Sequence, residues 1–273
     1  MAGLEFIDTH CHIHEEGYED PRGALDRAHD GGVHQVVCVG TSEESSAAAI
    51  SFSQLHEGVY AAIGVHPHDT KDGWTKIAEL AKEHHGSGVL VAIGEIGLDY
   101  FYTLSNRETQ IEALKAQLQT AVDYDLPVIF HVRDGAEGEA SAFADFWPIF
   151  DSFHYASGEG LRGELHSFTD SEENLMKGLE RGLYIGVNGI STFSKDVIQR
   201  AMWRAIPLER MLLETDAPFL TPTPYRGKIN EPAFVRNVAE NYVTQYRPDE
   251  GLSVADIALE TTANARTLFR LPV

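Results

Sequence analysis

From residue 4 onward, short apolar runs alternate with longer amphipathic stretches. The runs are Leu4–Thr9, Val33–Gly40, Val59–Val65, Val89–Ile96, Pro127–Val132, Leu161–His166, Leu183–Val187 and Met211–Thr215. Helical spacing covers about 21–31, 43–57, 74–85, 105–124, 139–152, 171–181, 193–205 and 231–247. In the fourth of these, Ile111, Leu114, Leu118, Ala121 and Val122 fall on one face, with Ser105 or Asn106 available as N-cap. Several runs are apolar throughout, as strands covered on both faces are. Eight strand–helix units in succession predict an α/β fold, a single-domain (β/α)8 TIM barrel over residues 1–273. An open doubly wound sheet is the alternative, but it wants a glycine-rich phosphate turn after an early strand, and no GxGxxG occurs. The amphipathic stretch Val254–Phe269 predicts an extra C-terminal helix.

Composition narrows the class. A 43% hydrophobic chain of 273 residues can fill a core of this size. Two cysteines argue against a disulfide framework, and 13 histidines make imidazole the more natural metal-binding group. There is no basic, apolar leader pattern and no apolar run long enough to span a bilayer, so a cytoplasmic protein without membrane contact is expected. The formal net charge of −21 excludes a long basic stripe of the kind that coats nucleic acid. A polyanionic substrate would have to be met locally, by metal ions and a few cations.

The candidate chemistry falls at the C-terminal ends of the predicted strands, where barrel enzymes build their sites. The first strand ends in His10-Cys11-His12, whose alternation sends Asp8, His10 and His12 one way and Cys11 the other. The third ends in His66-Pro67-His68, the fourth in Glu95 and Asp99, the fifth in His131 and Arg133, the sixth in His166 and the eighth in Asp216. Carboxylates gathered beside imidazoles are costly to bury without a cation. Nitrogen and oxygen donors without thiolate suit borderline or hard divalent ions.

These motifs carry a resemblance. Asp8-Thr9-His10-Cys11-His12, Gly64-Val65-His66-Pro67-His68, Gly94–Tyr100 (GEIGLDY), His166-Ser167-Phe168, Leu213–Leu220 (LETDAPFL) and Arg226–Pro232 (RGKINEP) occur in order. Together they resemble the TatD-type metal-dependent deoxyribonucleases of the amidohydrolase superfamily. The resemblance implies two divalent ions, Mg, Mn or Zn. His10, His12 and Asp216 would hold the first and His131 and His166 the second, with Glu95 bridging them. It further implies that Asp216 orients or deprotonates the attacking water and that His66 contacts the scissile phosphate. Arg133 and Asn230 would be weaker substrate contacts, and Arg226 and Lys228 on the late loop would meet a neighbouring phosphate. Asp8 and Glu214, two residues inside a ligand on the same strand face, are expected to support the ligands or line the barrel interior rather than ligate, and His68 and Asp99 either to touch substrate or to pin loops. Two motifs depart from the family pattern: Ser167 stands in a block that often reads HCFxG, and Ile229 replaces a basic residue in RGKRNEP. Neither removes a ligand.

The expected activity is end-directed hydrolysis of DNA phosphodiesters, in single strands or at DNA ends, by a metal-activated water. The alternative is a superfamily hydrolase of a small phosphoester, amide or lactone. Such enzymes commonly carry a carboxylated lysine where Glu95 stands, so the glutamate favours the nuclease. A monomer is favoured.

Overall fold

The computed structural model describes residues 4–102, 104–136 and 140–273. Its eight strands are β1 (Phe6–Cys11), β2 (Val33–Val39), β3 (Val59–Ile63), β4 (Leu90–Asp99), β5 (Val128–Arg133), β6 (Gly163–Leu165), β7 (Tyr184–Val187) and β8 (Met211–Leu213). They form one sheet in chain order, alternating with helices: the (β/α)8 TIM-barrel class predicted from the apolar runs. Helices α1 (Pro21–Asp30), α2 (Glu43–Leu55), α3 (Thr75–His84), α4 (Arg107–Asp123), α5 (Ala142–Phe150) and α6 (Glu172–Glu180) follow the first six strands. The single turn α7 (Ile190–Phe193), α8 (Val197–Ala205), α9 (Val235–Tyr246) and the predicted C-terminal helix α10 (Val254–Phe269) complete the set. The start of the fifth predicted helix, at residue 139, lies outside the described residues.

Two strands outrun their apolar stretches. The run on β1 stops at Thr9 and that on β4 at Ile96, yet the ladders continue through Cys11↔Cys38 and through Gly97↔His131 to Asp99↔Arg133. Polar motif residues thus sit inside strands, where backbone pairing fixes them.

Internal contacts group the chain into two compact units, Met1–Cys38 with Ser167–Val273, and Val39–His166. In the first, β8 returns to β1: Asp216 N donates to His10 O at 2.8 Å and His12 N to Ala217 O at 2.7 Å. Helix α10 supports the opposite end of this seam. Its Asn264 amide donates to Leu208 O and Met211 O at 2.9 Å, and Thr262 Oγ1 donates to Glu5 O at 3.0 Å. A capping box, Ser253 with Asp256, starts that helix.

In the second unit the core is Ile63, Ile77, Ile93, Ile96, Leu114, Leu118, Phe130 and Phe146. Asn106 is the N-cap of α4, accepting from Thr109 N at 2.9 Å, while Ser105 donates to His68 O at 2.7 Å. Two buried glutamines on α4 reach the strand ends. Gln117 accepts from Val65 N at 2.7 Å, and Gln110 accepts from Asp99 N at 2.9 Å while donating to Asp99 O at 3.0 Å. An amide satisfies a donor and an acceptor of irregular backbone at once, which aliphatic packing cannot do.

Gly97 marks the closest approach of β4 to β5: a Cβ there would lie 1.8 Å from His131 O. Gly97→Ala must therefore push the ladder apart or unfold it. The expected cost is about 3 kcal/mol or more in a urea melt; wild-type stability would show that the two strands separate without penalty.

Candidate metal centre

In the unit that contains β1 and β8, His10 Nε2 and His12 Nε2 face each other at 3.1 Å. Asp216 Oδ1 lies 3.2 Å from the His12 nitrogen and 3.8 Å from that of His10. Asp216 adopts a left-handed backbone, φ 60°, which aspartate tolerates better than most residues. Its own N–H bonds His10 O, and its carbonyl accepts from Phe219 N at 2.8 Å. Beneath this cluster the buried Asp8 accepts from Thr215 Oγ1 at 2.6 Å, Thr215 N at 2.9 Å and His10 N at 3.3 Å. Burial pushes the Asp8 carboxyl well above the usual range, against those hydrogen bonds. Glu214 accepts from Ser167 N at 2.8 Å and from the Asn188 amide at 3.1 Å. Both acids hold backbone and side chains around the cluster, as their strand positions suggest.

The unit Val39–His166 gathers a second cluster around Glu95. Its Oε1 is 2.9 Å from His131 Nδ1, 3.6 Å from His66 Nε2 and 3.8 Å from His166 Nε2. Asp99 takes the other side of His131: its Oδ2 is 2.8 Å from His131 Nε2 and 3.1 Å from His68 Nε2. Asp99 Oδ1 accepts from Phe101 N and Tyr102 N, each at 2.9 Å. Burial opposes a charge on both partners. The hydrogen bonds outweigh it, raising His131 to about 9 and holding Asp99 well below the usual carboxylate range. Burial, with His131 as a like neighbour, lowers His66 to about 3. His66 is therefore neutral at pH 7. Its Nδ1 accepts from His68 N at 3.1 Å, which leaves the proton on Nε2, the nitrogen turned towards Glu95.

The donors fit a divalent cation. With metal–nitrogen bonds of about 2.0–2.1 Å, neighbouring donors stand about 3 Å apart, and the separations of 2.9, 3.1 and 3.2 Å above match that spacing. Glu95, His66 and His131 each offer a ligand atom to a common region. His66, expected at the phosphate, thus also stands within the donor group.

The family model described as "TatD related DNase" matches residues 7–270. The chain belongs to this family. A TatD-family member is a metal-dependent hydrolase, in keeping with the imidazole and carboxylate clusters. Among relatives, the uncharacterized metal-dependent hydrolase YabD of Bacillus subtilis (strain 168) is 34% identical over 97% of this chain and 99% of its own. The 3'-5' ssDNA/RNA exonuclease TatD of Cronobacter sakazakii is 35% identical over 89% of each. The TatD homolog YJJV of Escherichia coli K12 superposes with a TM-score of 0.84 at 28% identity, over 98% of this chain and 99% of that one. Among the described residues, no helix is long and apolar enough to cross a membrane.

The remaining candidates of this TatD-family chain divide. Arg133 is exposed, its guanidinium 4.1 Å from the Phe101 ring centroid. Arg226 lies 3.7 Å over the Phe193 ring and donates to Thr221 O at 2.9 Å, and Lys228 lies 5.3 Å over Tyr225. Asn230 corrects its expectation as a substrate contact. It is fully buried, and its amide donates to Thr215 O at 2.7 Å and Phe219 O at 2.6 Å, so it ties the late loop to the end of β8. Cys11 turns away from the histidines, with its sulfur 4.0 Å from that of Cys38. A cavity of about 410 Å³ opens beside His12, walled by Phe219, Ile229 and five carboxylates, Glu15, Glu16, Glu19, Asp20 and Glu231, against one arginine, Arg27. Sequence reading gave no sign of this cavity, because its walls come from the loop after β1, the helix α1 and the loop after β8.

Proposed function

We propose that the chain is a divalent-metal-dependent exonuclease acting on the ends of single-stranded DNA. The observation that carries this reading is the convergence of His131, His66 and His166 within 3.8 Å of one Glu95 oxygen, in a chain of a DNase-related family. The proposed ligands are His10, His12 and Asp216 for one ion and His131 and His166 for the other, with Glu95 common to both. When bound, the ions would supply Lewis acidity, lowering the pKa of a water and neutralising charge on the phosphate. Asp216 accepts the proton of the attacking water; its carboxylate is 15% exposed, enough for a water to reach it. His66, neutral with its proton on Nε2, donates to a phosphate oxygen. Asp99 holds His131 in orientation, and Arg226 and Lys228 meet a phosphate further along the strand. The direction proposed is 3' to 5', after the Cronobacter relative's name.

The test is a substrate panel: end-labelled single strands, duplex, bis(p-nitrophenyl) phosphate, an amide and a lactone. Each is incubated with metal-stripped protein and with protein reloaded with Mg²⁺, Mn²⁺ or Zn²⁺. A ladder from the single strand that requires metal is the expected result. A second reading, a small-ester hydrolase, draws on the carboxylate-lined cavity beside His12, which repels a polyanion. Hydrolysis of small esters with no oligonucleotide cleaved under any metal would transfer the assignment to it.

The −21 charge adds an expectation about salt. Contact with one or two phosphates gives log kcat/KM against log salt a slope no steeper than about −2. A slope near −5 would require a basic surface and would overturn the local-contact reading.

A further inference from the structure

Past Asp99 and the buried Tyr100 the chain exposes two aromatic rings. Phe101 is 46% and Tyr102 47% accessible, and the rings meet edge to face with centroids 4.9 Å apart. Arg133, the register partner of Asp99 on β5, spreads over both, 4.1 Å from the Phe101 centroid and 5.0 Å from that of Tyr102. Arg133 is itself exposed, and among the described residues no carboxylate pairs with it, although acidic residues outnumber basic ones by 42 to 21 in the whole chain. An unpaired guanidinium beside open rings, in so acidic a protein, is a place for an anion joined to a flat apolar group. A nucleotide has that chemistry.

The patch is also positioned. Asp99 accepts the N–H groups of Phe101 and Tyr102 through one oxygen, and its other oxygen faces His131 and His68. The Tyr102 ring packs edge-on against His68 at 5.5 Å, and His68 against His66 at 4.3 Å. One carboxylate therefore fixes the rings relative to the Glu95 cluster.

We infer that Phe101, Tyr102 and Arg133 form a stacking subsite for an unpaired nucleobase next to the scissile phosphate, with Arg133 meeting an adjoining phosphate. The inference rests on the nuclease reading and supplies what that reading lacks. A chain of this charge cannot hold a single strand by a basic groove, whereas base stacking is independent of net charge and tolerant of sequence. Duplex bases are already stacked on one another and present no free face, so the subsite selects single strands.

The test uses the full-length, metal-loaded protein. Phe101→Ala/Tyr102→Ala should raise KM for a single-stranded oligonucleotide by about ten- to a hundredfold, with a small change in kcat. Phe101→Leu/Tyr102→Leu, which keeps apolar bulk but no ring face, should show the same loss if stacking is the cause. An abasic nucleotide, moved one position at a time from the cleaved end, should cost the wild type a comparable factor at one position, and neither variant should respond to it there. As a binding readout, the fluorescence of Tyr102→Trp should be quenched by a phosphorothioate oligothymidylate that resists cleavage. Equal losses on intact and abasic strands, or full activity of the leucine variant, would overturn the subsite while leaving the nuclease standing. Quenching without cleavage of any strand would keep the subsite and remove the nuclease; absence of both would remove both.

Discussion

Replacing Glu95 by alanine should lower hydrolysis on the order of 10⁴-fold or more while the fold persists. Three imidazoles point at one oxygen of this carboxylate, the nearest at 2.9 Å. Without it, His131, His66 and His166 lose their common counter-charge, and the ion proposed at His131 and His166 would lose its negative ligand. If Glu95 is shared, both ions should bind more weakly, which metal analysis after gel filtration would show. The barrel should survive, because the backbone bond from Glu95 N to Gly40 O remains and the surrounding core is apolar. Near-normal turnover by Glu95→Ala at saturating Mg²⁺, with full metal content, would remove Glu95 from the centre of the mechanism.

Asp216→Asn separates holding a metal from moving a proton. Asparagine matches the shape, tolerates the left-handed backbone that Asp216 adopts, and keeps one oxygen near His10 and His12. It cannot take a proton from water. The expected loss is about 100-fold or more in kcat, with KM little changed, since the missing interaction belongs to the transition state. If raising the metal concentration restores full kcat, Asp216 serves only as a ligand and the base lies elsewhere.

How much of this could be read from the sequence depends on what fixes each residue. His10 lies on β1 and His12 one residue past its end, and extended backbone two residues apart is enough to suggest that they share a face. The ends of β4 and β5 were legible because their motifs follow apolar runs. Polar residues at helical positions were not. Gln110 and Gln117 look solvent-facing in sequence, yet they are buried and hold the ends of β4 and β3 through long-range backbone bonds. Asn230 misled for the same reason: a polar residue in a loop motif reads as a ligand contact until its amide is found occupied by two carbonyls. Asp99 was open between substrate and loop, and the structure gives it His131, His68 and two backbone N–H groups. The exposure of Phe101 and Tyr102 carries no sequence signal, since GEIGLDY followed by two aromatics reads equally well as core.

The discontinuity of the unit built from Met1–Cys38 and Ser167–Val273 has a consequence for biosynthesis. Residues Val39–His166 leave the ribosome as one uninterrupted stretch and have their own contacts within reach during translation. Strand β1, made before Val39–His166, has to wait for β8 and for α10, made after it. His10 and His12 therefore meet Asp216 only after residue 216 has been made, whereas Glu95, His66 and His131 can be together earlier. A nascent chain halted before residue 211 would carry Glu95, His66, His131 and His166 together, but would hold His10 and His12 without Asp216.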